Sequence, residues 1–291
     1  MTTWLITGAS RGLGREIALR ALDEGHTVIA TARSRADLSG LPVATAGTLH
    51  LVELDITDQA SIERAVAQAT ACAGAIDVLI NNAGQAQLGY FEMVSERAVR
   101  RQFDVNVFGP MAVTRAVLPG MRAARAGLIV TISSASGLVS NAGGTLYSAS
   151  KFAVEGWIEG LAEELSPFGI RSLVVDPGMM RTDFLDPRSA LHGDLPVADY
   201  AEAAAGFEAY IASANHQQAN DPAVLAAHIV ALAGTAEIPS RFLFGADAQE
   251  WVSHKLARLQ GELTQSAAIA GSADGGAWQA ASTRSARAAT T

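Results

Sequence analysis

An α/β fold built on a doubly wound parallel sheet is what this sequence predicts, and three observations predict it. Short runs rich in Val, Ile and Leu alternate with amphipathic stretches of helical period from the N-terminus to about residue 244. The first apolar run passes straight into a glycine-rich turn and then a helix. The residues best suited to chemistry follow the C-terminal ends of the runs, the edge where open parallel sheets bind ligands. Composition agrees. With 291 residues, 49% hydrophobic and 17% charged, the chain has apolar mass for one large core.

Trp4 to Thr7 reads as a buried strand entering Gly8-Ala-Ser-Arg-Gly-Leu-Gly14, with a helix from about Gly12 to Leu22. Glycines in such a turn let backbone N–H groups approach a pyrophosphate where the helix dipole favours an anion. The spacing is G-x-x-x-G-x-G, not the G-x-G-x-x-G of the longer fingerprint. Gly8-x-Ser10-x-Gly12 also spells a hydrolase nucleophile elbow, but nothing marks His192, His216 or His228 as its partner. The second strand, Thr27 to Thr31, ends at Ala32-Arg33. An acidic residue there would select NAD(H) through the ribose 2′-hydroxyl. Arg33, with Arg11 in the glycine turn, suits a 2′-phosphate instead, so NADP(H) is the expected cofactor and NAD(H) the lesser one.

Leu49 to Leu54 is a third strand, followed by Asp55-Ile56 and a helix from about Asp58 to Ala73. Asp55 either accepts from an adenine amino group or caps the helix. The fourth strand, Asp77 to Ile80, meets Asn81-Asn82-Ala83-Gly84, a wall of the cofactor crevice or an ordinary turn. A long helix covers roughly Glu96 to Leu118 with Asn106 in its middle, where an amide competes with the backbone. Asn106 therefore caps a kink or serves a site. Gly127 to Ser133, a fifth strand, delivers Ser134, and a helix runs from Tyr147 to Leu165. The sixth strand, Ile170 to Val175, ends at Asp176-Pro177-Gly178. The pattern loosens over 179–218, as in a lid over a substrate or a helical excursion packed on the sheet. A helix opened by Asp221-Pro222, a strand at 241–244 and a helix from Ala246 to Leu263 complete one domain over 1–265. Residues 266–291 read as a low-complexity tail.

Tyr147 and Lys151 lie one helical turn apart on one face. A phenol ordinarily loses its proton near pH 10. An ammonium at about 5 Å, with an effective dielectric of about 20, favours the phenolate by roughly 3 kcal/mol. The expectation is a phenol drawn down about two units, into a general acid's range.

Several function classes are excluded. A formal charge of −8 without a basic block argues against nucleic-acid partners. The single cysteine, Cys72, permits no disulfide framework, and the six histidines lack ligand-like spacing, so no metal is expected. No apolar run reaches membrane-span length, and the opening residues carry no leader pattern, so a cytoplasmic location is expected.

These motifs, in this order, resemble the short-chain dehydrogenase/reductase family in its shorter single-domain form. They are Thr7-Gly-x-x-x-Gly-x-Gly14, Asp55, Asn81-Asn-Ala-Gly84, Asn106, Ser134, Tyr147-x-x-x-Lys151 and Pro177-Gly178 followed by Thr182. The resemblance implies a Rossmann fold and a hydride transfer between a nicotinamide and a carbonyl or secondary alcohol, most simply ketone or aldehyde reduction. It implies Asn106, Ser134, Tyr147 and Lys151 as the catalytic set, with Asn106 positioning a water toward Lys151. Cofactor contacts are implied along Gly8, Ser10, Arg11, Gly12, Leu13 and Gly14, at Arg33, Asp55 and Ile56, along Asn81, Asn82, Ala83 and Gly84, and at Tyr147, Lys151, Pro177, Gly178 and Thr182. The Arg11 and Arg33 pair resembles the NADP-preferring branch. A small apolar carbonyl or alcohol is the implied substrate, with a homodimer or homotetramer as assembly. The rival expectation is a nucleotide-sensing protein of the same fold that has lost turnover.

Overall fold

The computed structural model describes residues 1–41 and 46–270, so most of the tail expected over 266–291 lies outside the described residues. The described residues up to Gln249 form one compact unit and those from Glu250 a second.

Seven strands make one parallel sheet: β1 (Thr3–Ile6), β2 (Thr27–Ala32), β3 (Thr48–Glu53), β4 (Val78–Asn81), β6 (Gly127–Ile132), β7 (Ile170–Pro177) and β9 (Arg241–Phe244). Their order is β3-β2-β1-β4-β6-β7-β9, with every neighbouring pair parallel. The chain therefore winds outward one way from β1 and the other way from β4. Between those two strands lies the switch point where such sheets open a crevice at their C-terminal edge.

The strands are apolar on both faces because both are covered. Leu5, Ile29, Leu79 and Ile129 face α2 (Gln59–Ala73) and α4 (Gly109–Ala124). Trp4, Ile6, Val28 and Ile80 face the opposite layer, with α1 (Gly12–Asp23) and α7 (Pro222–Ala233). Side chains of period two along each strand thus divide between two cores. Asp58 caps α2 by accepting from the N–H groups of Ala60 and Ser61, and Asp221 caps α7.

The helix expected from Glu96 to Leu118 is three pieces. α3 (Glu96–Phe103) leads into a π-helical turn, Asp104–Phe108, and then α4, which runs on to Ala124. The wide turn, with the Gly109 N–H reaching the Asp104 carbonyl, absorbs an extra residue at Asn106. Two-residue strands too short to show a period, β5 (Ala86–Gln87) and β8 (Ala190–Leu191), pair in parallel. Residues 179–218 therefore hold a strand as well as α6 (Ala201–Ala214), in which Ala204 and Ile211 are the buried positions. The last helix, α8 (Ala246–Ala270), continues past Leu263, where the sequence pattern placed its end.

Candidate active site

The glycine turn is shaped by close approach. Gly8 and Gly12 hold φ of +68° and +54°, the left-handed region where side chains are strained. At Gly14 the reason is contact: a Cβ there would lie 2.4 Å from both the Gly8 carbonyl and Asn82 Nδ2. Thr7 and Asn82 fasten the turn to its neighbour. The Thr7 hydroxyl accepts from the N–H groups of Asn82 and Ala83 at 2.9 and 3.0 Å. Asn82 Nδ2 donates to the carbonyls of Thr7 and Gly8 at 2.9 and 3.1 Å. Arg11, at the N-cap of α1, makes no side-chain cap bond, so the first-turn N–H groups stay open to an anion. A pyrophosphate fits this cradle: the backbone is forced close, left uncapped, and placed at a helix N-terminus.

Other residues expected along the crevice serve different ends. Asn81 is buried, and its amide donates to the hydroxyls of Thr114 and Thr131 rather than reaching the crevice. Asp55 accepts from the Thr57 N–H and hydroxyl at 2.9 and 2.7 Å, which closes its own turn, while Asp58 takes the cap. Burial works against the Asp55 charge, but Thr57 and the fields of Arg33 and Arg101 outweigh it and hold the carboxyl below its ordinary range. Ile56 is buried against Gly109. Thr182 sits beside Gly12 and caps the next short turn through the Phe184 N–H. Gly178 donates to the Phe244 carbonyl, and Asp247 leaves no room there for a Cβ.

Arg11 reaches Ser189 Oγ at 2.6 Å, and Arg33 stands exposed just past β2. Burial, then the charge of Arg188, lowers the Arg11 pKa; Asp183 opposes this and Arg33 adds to it. Three guanidiniums thus share one field. Arg188 was not singled out in the sequence, because it lies in the loosely patterned stretch after β7.

α5 (Thr145–Leu165) presents Tyr147, Lys151 and Glu155 at successive turns. Ser134 Oγ accepts from the Ser136 N–H at 3.0 Å, which leaves its own proton to donate. Burial pushes the Tyr147 phenol up to about 12, against the hydrogen bond from Ser134. The expectation of a phenol drawn down by Lys151 is thereby corrected. Lys151 Nζ lies 5.8 Å from the ring centroid and donates to the Ile132 carbonyl at 2.8 Å. Burial also brings Lys151 down to about 8, while Glu155 and Asp176 pull it back up. The ordinary burial cost of a charge exceeds the attraction at this separation. The phenol holds its proton at neutral pH, as an acid must.

The family model for short chain dehydrogenases matches residues 2–191. A 3-ketodihydrosphingosine reductase of Bacteroides thetaiotaomicron is 40% identical over 198 residues, 68% of this chain and 71% of that protein. The crystal structure of a short-chain dehydrogenase from Streptomyces avermitilis superposes with a TM-score of 0.85 at 39% identity, covering 94% of this chain and all of that one. A metagenomic short-chain oxidoreductase solved in complex with NADP gives 0.67 at 28% identity, over 84% of this chain and 96% of that one. The chain belongs to the short-chain dehydrogenase family. It is an oxidoreductase acting between hydroxyl and carbonyl groups.

In this short-chain dehydrogenase Asn106 spends its amide on the wall of the crevice. Its Oδ1 accepts from the Gln85 N–H at 3.0 Å, and its Nδ2 donates to the Gln85 carbonyl and to Ser150 Oγ. The helix is interrupted there by the π-helical turn, and the amide braces the loop at Gln85 instead of capping that turn. Gln102, fully buried, extends the network. It accepts from the Gln87 N–H and donates to Ser150 Oγ, each at 2.9 Å, while Ser150 donates to the Tyr147 carbonyl. Gln87 in turn donates to the carbonyls of Leu191 and His192. Gln87, Gln102 and Ser150 were missed because the bonds that join them to one another and to Leu191 and His192 span 15 to 105 residues of sequence. The one available signal was a glutamine in a buried helical stripe.

The short-chain dehydrogenase faces its phenol with apolar groups. Leu88, Phe184, Ala190 and Ile211 cluster with Tyr147, whose ring centroid is 5.7 Å from that of Phe184. Asp183, Asp186 and His216 bring possible metal-ligating atoms within 4.8 Å of one another, a grouping that sequence spacing hides. Asp186 is already bonded by Asn215 and His216 and faces Arg188. Among the described residues, no helix is long and apolar enough to cross a membrane.

Proposed function

We propose that this short-chain dehydrogenase is an NADP(H)-dependent reductase of a ketone or aldehyde carried on an apolar molecule. The arrangement that carries the reading is the Tyr147 phenol, kept protonated by burial, beside Ser134, whose hydroxyl accepts from the Ser136 N–H and donates toward the phenol oxygen. NADPH, when bound, would supply the hydride for the carbonyl carbon. Ser134 donates to the carbonyl oxygen as charge develops on it, and Tyr147 delivers the proton that makes it a hydroxyl. Lys151 as an ammonium steadies the phenolate that remains. The Gly8–Gly14 turn would hold the pyrophosphate, and Arg11 and Arg33 would take the 2′-phosphate. The apolar wall of Leu88, Phe184 and Ile211 favours uncharged substrates and excludes water.

The NADP-bound metagenomic relative and the ketone-reducing Bacteroides relative support the same reading. So does the absence of an acidic side chain at position 33. A homodimer or homotetramer formed through the elements that carry Asn106 and Tyr147 belongs to the proposal. It is supported by Phe108 and Phe152, exposed at 58% and 42% on those elements.

The test is NADPH and NADH oxidation, side by side, on a panel of apolar ketones and aldehydes. Turnover preferring NADPH is expected. Arg33→Asp should lower that preference by about tenfold to a hundredfold, the loss of one charge-assisted contact. An unchanged cofactor ratio would remove Arg33 from the site. Dinucleotide binding without turnover on any carbonyl would favour the sensing protein.

A further inference from the structure

One polar cluster beneath the catalytic helix has no part in the steps above. Asp176, at the end of β7, is fully buried, and Glu155, one turn after Lys151 on α5, is 6% exposed. A single nitrogen of Arg241, on β9, donates to both carboxylates, to Asp176 Oδ2 at 2.7 Å and to Glu155 Oε2 at 2.5 Å. The other oxygens, Glu155 Oε1 and Asp176 Oδ1, are buried with no hydrogen-bond donor from the protein, and the Ser133 hydroxyl, which crowds Gly137 together with Glu155 Oε1, is buried without a partner too. One guanidinium is set against two carboxylates and the Lys151 ammonium.

We propose that Glu155 and Asp176 act as positioning residues, a carboxylate pair bridged by Arg241 that keeps buried Lys151 charged and so sets the alkaline limit of catalysis. The proposal rests on the catalytic reading of Tyr147 and Lys151. Two carboxylates held on one guanidinium nitrogen repel each other, which works against the charge of the more deeply buried Asp176. Burial, then the Glu155 neighbour, raises Asp176 to about 7, with Arg241 opposing. Above that pH Asp176 ionises and adds its negative charge to the field at Lys151. The added charge arrives just below the range where Lys151, brought to about 8, would lose its own proton. The pair thus holds the ammonium in place as the medium becomes alkaline. The titratable and charged groups facing Lys151 and the pair are Tyr147 and Glu155 from α5, Asp176 from β7 and Arg241 from β9. Asp247, at the start of α8, is bonded to the Met179 N–H and Asn220 instead.

Lys151 and Lys255 are the chain's two lysines, so its side chain can be followed in the full-length protein by NMR with 13C-labelled lysine. Lys151→Met assigns the signal. In Glu155→Gln, which keeps the shape and removes the charge, the Lys151 titration should fall by about one pH unit. That is a tenfold smaller ratio of charged to neutral lysine at a fixed alkaline pH. The alkaline limb of kcat should move by the same amount with KM little changed. Asp176→Asn should act in the same direction and serves if the first variant does not fold, and Glu155→Asp should keep the wild-type limb. A Lys151 titration unmoved in a folded Glu155→Gln or Asp176→Asn variant would overturn the proposal. The NMR titration needs no turnover, so failure of the reductase reading would show separately, as an absence of activity in the wild type.

Discussion

Tyr147 and Lys151 are both held away from their ordinary proton affinities, and burial is the cause of each. For Lys151 this carries a stability cost with a definite sign. Its pKa falls from 10.5 unfolded to about 8 folded, so between those values the unfolded chain binds more protons. The contribution to stability therefore rises as pH climbs through that window, and at neutral pH the burial cost stands in full, about 3 kcal/mol. Lys151→Met should abolish turnover yet raise Tm at pH 7, and the gain should shrink as pH approaches 10.5. Differential scanning fluorimetry across that range checks it, and a lower Tm at pH 7 would contradict it. The pairing of Tyr147 with Lys151 was legible because four-residue spacing defines a helix face. The direction of the phenol's shift was not, because spacing reveals proximity but not burial.

At the scale of elements, the glycine turn is fastened to Asn82 and Ala83, and the π-helical turn to Gln85 just beyond them. A methyl group at position 14 has no space between Asn82 and the Gly8 carbonyl. Gly14→Ala should therefore weaken dinucleotide binding at least tenfold by fluorescence titration while the sheet stays folded, and unchanged affinity would sink the cradle assignment. Gln102→Leu strands the buried Gln87 N–H and removes a donor from Ser150. It should cost about 3 kcal/mol, read as a Tm several degrees lower. The turn, the strands and most helices were readable from period and glycine placement, since those are local signals. The π-helical turn was visible only as a misplaced Asn106. The β5–β8 pairing was invisible, because two residues carry no period and their partners lie about a hundred positions apart.

For the molecule as a whole, the all-parallel sheet places the C-terminal ends of its strands on one edge, where Gly8, Asn82 and Ala83 lie in contact and Thr182 stands beside Gly12. That convergence follows from topology, and alternating strands and helices were enough to predict it. The Glu155–Asp176–Arg241 cluster was not predictable in the same way, since it joins three elements through a tertiary contact. A carboxylate ending the apolar run Ser172-Leu-Val-Val-Asp176 was its only trace. Assembly belongs to this scale too. Phe108→Ser with Phe152→Ser should shift the protein toward monomer in size-exclusion chromatography with light scattering, and an unchanged mass would place any interface elsewhere.

Steady-state NADPH oxidation by the wild type and Tyr147→Phe, on one carbonyl substrate with cofactor affinity measured in parallel, bears on the central claim. The account predicts a fall in kcat of about a hundredfold to ten-thousandfold with NADPH binding nearly unchanged, the loss expected for a positioned acid. A variant that turns over like the wild type would contradict Tyr147 as the proton donor.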